Sequence, residues 1–191
     1  MRAAISVIIP TLDAERLLPA CAAGLFEGVQ EGLLRELIVS DGGSVDETRR
    51  IADELGAEFV SAGPTRAAQL QRGAEAARGD WLLFVPPESQ LQPGWTAAVR
   101  AHMPSQAPAV FRVEARGTAG RLAAAWANRR TAMVGAATGP QGLLVRAGDY
   151  ADAGGHASAG RTGAPALARR LAAIGRRPVL LAASVRRETA T

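Results

Sequence analysis

Apolar residues along the chain fall into two alternating kinds of run. AAISVIIP (residues 3–10) is a continuous, β-branched stretch ending at proline, which predicts a buried strand. RLLPACAAGLFEG (16–28) repeats instead at helical spacing through Leu17, Leu18, Cys21 and Leu25. Pro19 belongs in the first turn of that helix, where a missing N–H costs nothing. The same exchange of periods continues. RELIVSD (35–41) is a strand and SVDETRRIADELG (44–56) a helix. Ser44 and Glu47 form a capping box at its start, and Gly56 is a C-terminal stop. AEFVSA (57–62) is a strand, TRAAQLQRGAEAARG (65–79) a helix and DWLLFV (80–85) a strand.

This alternation predicts an α/β fold, Rossmann-like, with a mostly parallel sheet joined by right-handed crossovers and helices on both faces. Ligands of such sheets bind beyond the carboxyl ends of the strands. Three strand ends therefore matter: PTLDAE, SDGGSVDET and VPPESQ. The second half is less regular. PGWTAAVRAHM (93–103) is a helix, AVFRVEARG (109–117) a strand with one wet face, and AGRLAAAWANRRTAM (119–133) a helix. PQGLLVRAG (140–148) is a strand or extended run, APALARRLAAIGRR (164–177) a helix and PVLLAASVRR (178–187) a closing strand. No repeat, linker or low-complexity tract interrupts the chain. The expected organisation is one domain over 1–191, with a ligand-binding half at 1–91 and an acceptor-side half at 92–191.

Composition narrows the function. A hydrophobic content of 48% predicts a soluble globular protein. No apolar run reaches the roughly 18 residues of a membrane span, and the N-terminus reads as a first strand, not a signal peptide. A single cysteine, Cys21, excludes an internal disulfide, fits a reducing cytoplasm and sits among alanines as a packed thiol. All 22 basic residues are arginine, yet the net charge is only +4 and aromatics make up 4%. That is too few rings for base stacking, so no nucleic-acid partner is expected. Arg169, Arg170, Arg176, Arg177, Arg186 and Arg187 concentrate charge near the C-terminus, the one place that would suit an anionic partner, with a solvated helix face and loop as the plainer reading.

The strand ends carry acids where a dinucleotide or phosphate loop would carry glycines. Neither G-x-G-x-x-G nor a Walker A loop is present. Asp13 and Asp41 can accept hydrogen bonds from a ribose hydroxyl or a base N–H. They cannot cradle phosphate, which needs a cation from a metal or an arginine. Each has a plainer reading beside the ligand-binding one: Asp41 as a turn residue ahead of a helix, Asp13 as a helix cap, Arg66 as an exposed first-turn residue.

SVIIPTLDAERLLPAC, LIVSDGGSVDETRRIA and GPTRAAQLQRGAEAARGDWLLFV together resemble the nucleotide-binding half of the family-2 glycosyltransferases. Within that family they are most similar to a short bacterial branch found beside radical-SAM and selenium-related genes. The resemblance is dense over 5–91 and thinner to about residue 180. It implies a GT-A fold, a nucleotide sugar such as a UDP- or GDP-sugar as donor, an unknown acceptor, and Mg²⁺ or Mn²⁺ on the diphosphate. It implies nucleotide binding by Thr11, Asp13, Asp41 and Arg66.

Against the family pattern the chain departs at three places. Pro86 and Pro87 stand where the acidic metal motif begins, leaving Glu88 as its one carboxylate. Gly163 and Ala164 stand at the Glu-Asp pair that supplies the catalytic base. Pro140 stands where an acid is usual. His156 is a candidate substitute base, with packing as its plainer reading, and Asp149 and Asp152 lie nearby. The acids that read a nucleotide are thus present, while those that do chemistry are mostly absent, and this admits a catalytically impaired binding module as the alternative to a transferase.

Overall fold

The computed structural model describes residues 4–115, 117–134, 139–156 and 163–188. The elements of the first half are β1 (Ile5–Thr11), α1 (Leu18–Gln30), β2 (Leu34–Asp41), α2 (Thr48–Glu54), β3 (Glu58–Ser61), α3 (Arg66–Ala76) and β4 (Trp81–Phe84). Those of the second are β5 (Ser89–Leu91), α4 (Trp95–His102), β6 (Ala109–Glu114), α5 (Thr118–Val134), β7 (Leu143–Arg146), α6 (Ala147–Asp152), α7 (Gly163–Ala173) and β8 (Val179–Arg187).

One eight-stranded sheet runs in the order β3-β2-β1-β4-β7-β6-β8-β5. The first four strands are parallel, as the βαβ alternation requires. β7 pairs antiparallel with both β4 and β6, and β5 antiparallel with β8, while β6 and β8 are parallel. β1 lies in the middle of the parallel part with all seven residues buried, the mark of a strand covered on both faces. Its alternate side chains serve two cores. Ile5, Val7 and Ile9 join α1 and α4 through Leu18, Cys21, Leu25, Trp95 and Val99. Ile8 joins the opposite layer of α3, α6 and α7 through Leu70, Tyr150, Leu167 and Leu171.

Several expectations are revised. α2 begins at Thr48, three residues later than the capping box implies, with Glu47 as a cap residue whose side chain makes no capping bond. The reason is that Ser44 Oγ is engaged elsewhere: it donates to Asp41 and accepts from the Asp13 N–H rather than from the first turn of a helix. Gly56 does end the helix, with φ +67° directly after the cap residue Leu55. VPPESQ is more than a strand end, because Ser89 already belongs to β5. PQGLLVRAG divides into β7 and the unexpected short helix α6.

Candidate functional site

Parallel pairing sets Thr11, the last residue of β1, opposite Asp41, the last of β2. Thr11 Oγ1 donates to Asp41 Oδ1 at 2.9 Å. The chain then turns through two glycines, so the Gly43 and Ser44 N–H groups point back at Asp41 Oδ2 at 2.9 and 2.8 Å, and Ser44 Oγ donates to Oδ1. Four donors converge on one carboxylate that is 5% exposed, which fills its roughly four lone-pair sites. Burial alone would raise the Asp41 pKa. The bonds from Ser44, Gly43 and Thr11 outweigh it and hold the carboxyl below its ordinary value.

Asp13 meets the same loop from the β1 side. It sits in the left-handed region at φ 49°, where aspartate is among the more tolerant residues. Its N–H donates to Ser44 Oγ at 2.8 Å, and its Oδ1 accepts from the Val45 N–H at 2.9 Å. Ala14 N–H to Thr48 Oγ1 and Glu15 N–H to Asp46 Oδ2 extend the interlock at 2.8 and 2.9 Å. Asp13 is exposed, and none of the hydrogen bonds among the described residues uses its Oδ2.

α3 brings a cation to this edge. Thr65 caps the helix by accepting from the Ala68 N–H at 3.2 Å. Gln69 packs over the turn at Gly42, where an added Cβ would stand 2.2 Å from Gln69 Nε2. Arg66 then extends to the end of β4, and its Nη2 lies 3.2 and 3.4 Å from the two Glu88 oxygens. The Arg66 side chain is 48% exposed and that of Glu88 is 21% exposed. Ser89 Oγ donates to the Pro140 carbonyl at 3.0 Å, and the Cys21 thiol to the Pro86 carbonyl at 3.6 Å. Ser89 and Pro140, far apart in sequence, are therefore neighbours in space. Burial and then the charge of Glu88 push the Cys21 thiol pKa up, so it stays protonated and inert.

His156 lies on the α3–α6–α7 face and is 2% exposed. The Tyr150 hydroxyl is 2.9 Å from its Nδ1, the His156 N–H donates to Gln71 Oε1 at 3.0 Å, and Phe84 meets its ring edge-on at 5.2 Å. Burial, then the Arg170 guanidinium, pushes its pKa down to about 4. The ring is neutral at neutral pH and weakly basic. It borders a groove of about 560 Å³ shared with Ser61, Gly63, Thr65 and Gln71. Asp149 is taken by Arg176 at 3.2 Å. Gly163 begins α7, and the segment 157–162 that leads into it lies outside the described residues.

Thr11, Asp13, Asp41, Arg66 and Glu88 are all placed by loops and termini at the carboxyl edge of the sheet. The sequence reading missed Ser44, which joins Asp13 to Asp41, and the pairing of Arg66 with Glu88. The D-G-G-S spacing was the available signal for Ser44, since a hydroxyl three residues after an aspartate readily closes such a turn.

Residues 6–149 match the model of glycosyl transferase family 2. The chain belongs to that family. Among curated relatives, a PGL/p-HBAD biosynthesis glycosyltransferase of Mycobacterium bovis is 35% identical over 100 residues, covering 49% of this chain and 38% of that protein. The glucosyl-3-phosphoglycerate synthase of Mycolicibacterium paratuberculosis is 37% identical over 90 residues, covering 42% of this chain and 27% of that one. The chain thus spans well under half the length of these relatives. A crystal structure of glucosyl-3-phosphoglycerate synthase from Mycobacterium tuberculosis, in complex with Mn²⁺, UDP and glucosyl-3-phosphoglycerate, superposes with a TM-score of 0.68. It covers 98% of this chain and 73% of that one at 19% identity. Another structure of the same enzyme holds Mg²⁺ and UDP. At that identity the likeness establishes the fold, an α/β sheet of the GT-A glycosyltransferase type.

Proposed function

We propose that this family-2 member binds a nucleoside-diphosphate sugar, a UDP-sugar foremost, at the rim formed by Thr11, Asp13, Asp41 and Arg66, and that its transfer step is impaired. One observation carries the reading: an exposed carboxylate with a free oxygen, Asp13, and an exposed guanidinium, Arg66, flank a rigid turn at the edge where such sheets bind ligands. Asp13 accepts from the nucleoside and Arg66 meets the diphosphate. Asp41 acts through the loop, because its lone pairs are filled from within. The UDP held by the structurally similar synthase supports uridine over guanosine. The short-branch assignment belongs to the same proposal, and the surrounding genes test it.

A divalent cation fits these residues poorly. Glu88 is the one acid in residues 85–91, its carboxylate faces Arg66, and no three metal-ligating side chains cluster among the described residues. At the end of β4, Glu88 is the one carboxylate that residues 85–91 offer Mg²⁺ or Mn²⁺, and the Arg66 guanidinium already supplies positive charge there. Impairment follows from Gly163 and Ala164, which offer no proton acceptor at the positions where the family resemblance places the base. Loss of a general base costs about 10²–10⁴-fold.

A second reading, a working transferase with His156 as base, draws on one feature: His156 is neutral and borders the groove beside Thr65 and Gln71. Calorimetry with UDP, GDP and UMP tests the binding proposal. It expects UDP to bind more tightly than GDP, and UMP to lose the share contributed by Arg66. Absence of heat with all three would remove the nucleotide site.

A further inference from the structure

The helix α5 presents a surface that nothing in the nucleotide site uses. Its inner side is fixed to the sheet. Ala124 and Thr131 are buried, and Asn128 grips the β6 backbone, with Oδ1 accepting from Val113 N–H at 2.8 Å and Nδ2 donating to the Val113 carbonyl at 3.0 Å. That leaves the opposite side facing outward. Leu122 and Trp126, one turn apart there, are 70% and 65% exposed. Trp81 and Trp95, by contrast, are 6% and 0% exposed, so the exposure of Trp126 is not a general property of the chain's indoles.

Charge decides what would cover this face. Residues 118–134 contain Arg121, Arg129 and Arg130 and no acid. All three arginines are exposed, and none has an ion pair among the described residues. The Arg130 guanidinium sits 5.8 Å from the Trp126 ring centroid, so the aromatic and cationic groups form one patch. A second copy of the helix would oppose like charges across the contact, which disfavours self-association. An anionic, interfacial surface satisfies both halves of the patch: indole and leucine enter the headgroup boundary, and guanidinium groups meet phosphates. No helix among the described residues is long and apolar enough to cross a membrane, so contact of this kind is peripheral.

We propose that α5 docks the protein on an anionic lipid bilayer through Leu122 and Trp126 flanked by Arg129 and Arg130. The test uses the full chain with sedimenting vesicles of phosphatidylcholine, with and without phosphatidylglycerol, read by co-sedimentation and tryptophan emission. The expected result is binding to the anionic vesicles with a blue shift, weakening as salt is raised. Binding should fall at least about tenfold for Arg129→Glu/Arg130→Glu, and the shift should vanish for Trp126→Ser. Circular dichroism checks that both variants fold. If a variant unfolds, the lipid and salt dependence of the unmodified protein still decides. No binding to anionic vesicles, equal binding to neutral ones, or a concentration-dependent blue shift without lipid, which would mean a second copy covers the face, each overturns the proposal.

Discussion

The two rims of the sheet edge are built on different terms. Around the ends of β1 and β2, residues 11–48 form a closed polar network in which Asp41 alone accepts four hydrogen bonds. Around the end of β4, the same edge offers two prolines, one carboxylate engaged by one arginine, and a hydroxyl bonded to Pro140. The difference shows what the fold itself keeps. Asp41 is needed to close its turn, so its presence says as much about folding as about ligands. An acid projecting into solvent at the end of β4 would have no such structural duty, so the fold itself does not require one there. The groups that speak for binding are therefore those the fold does not need: the free oxygen of Asp13 and the exposed arms of Arg66.

The strongest way to break this comparison is Asp41→Ala. It strands the Thr11, Gly43 and Ser44 donors and should cost about 2–3 kcal/mol. That corresponds to a fall of roughly 5–10 °C in Tm for a chain of this size, with nucleotide binding lost as well. An unchanged melting curve would show that the turn does not depend on Asp41. The pH dependence follows in sign. A carboxyl held below its ordinary pKa gives stability that is present above its unfolded value of about 3.9 and lost as pH falls through the folded one. The Asp41→Asn variant should therefore lose the drop in stability below about pH 4.

His156 works in a different window. Its pKa falls from 6.5 to about 4 on folding, so the unfolded chain binds a proton that the folded one refuses. Stability should decline as pH drops from 6.5 towards 4, by on the order of 2 kcal/mol. Urea titrations at both ends of that range measure the slope, and His156→Phe should flatten it. A slope that survives the substitution would assign it to other groups.

Arg66→Ala separates binding from folding. It should weaken UDP binding about tenfold to a hundredfold by removing charge-assisted bonds to the diphosphate, with Tm almost unmoved because its exposed ion pair is worth little. A large loss of stability would instead make Arg66 part of the scaffold. The smallest effect expected is that of a chelator. If the guanidinium supplies the positive charge, EDTA should change UDP affinity by no more than about twofold. Strict dependence on Mn²⁺ would return Glu88 to a metal-binding role.

The parallel half was legible because its signals are local. The β-branched run at 5–9 and the helical spacing of Leu18, Cys21 and Leu25 state their periods within a few residues, and the pairing of β1 with β2 then sets Thr11 beside Asp41. What escaped reading depends on distance. β5 is three residues long and exists because β8, nearly a hundred residues later, pairs with it. Ser44 has the spacing of a helix cap, yet its oxygen accepts from the Asp13 N–H, thirty-one residues away, while its O–H donates to Asp41. Arg66 and Glu88 meet across 22 residues, and the burial of His156 requires Tyr150, Gln71 and Phe84 to arrive from three separate elements.

The central claim, a nucleotide rim retained without transfer chemistry, is tested most directly by nucleotide release from a panel of nucleotide sugars. The unmodified chain would be assayed beside a variant carrying Pro86→Asp, Glu88→Asp, Gly163→Glu and Ala164→Asp. The account predicts that both proteins bind UDP, that the unmodified chain releases nucleotide barely above background, and that the rebuilt one is faster by at least about a hundredfold. Brisk release by the unmodified chain, unaffected by His156→Ala, would contradict it and place the catalytic base elsewhere.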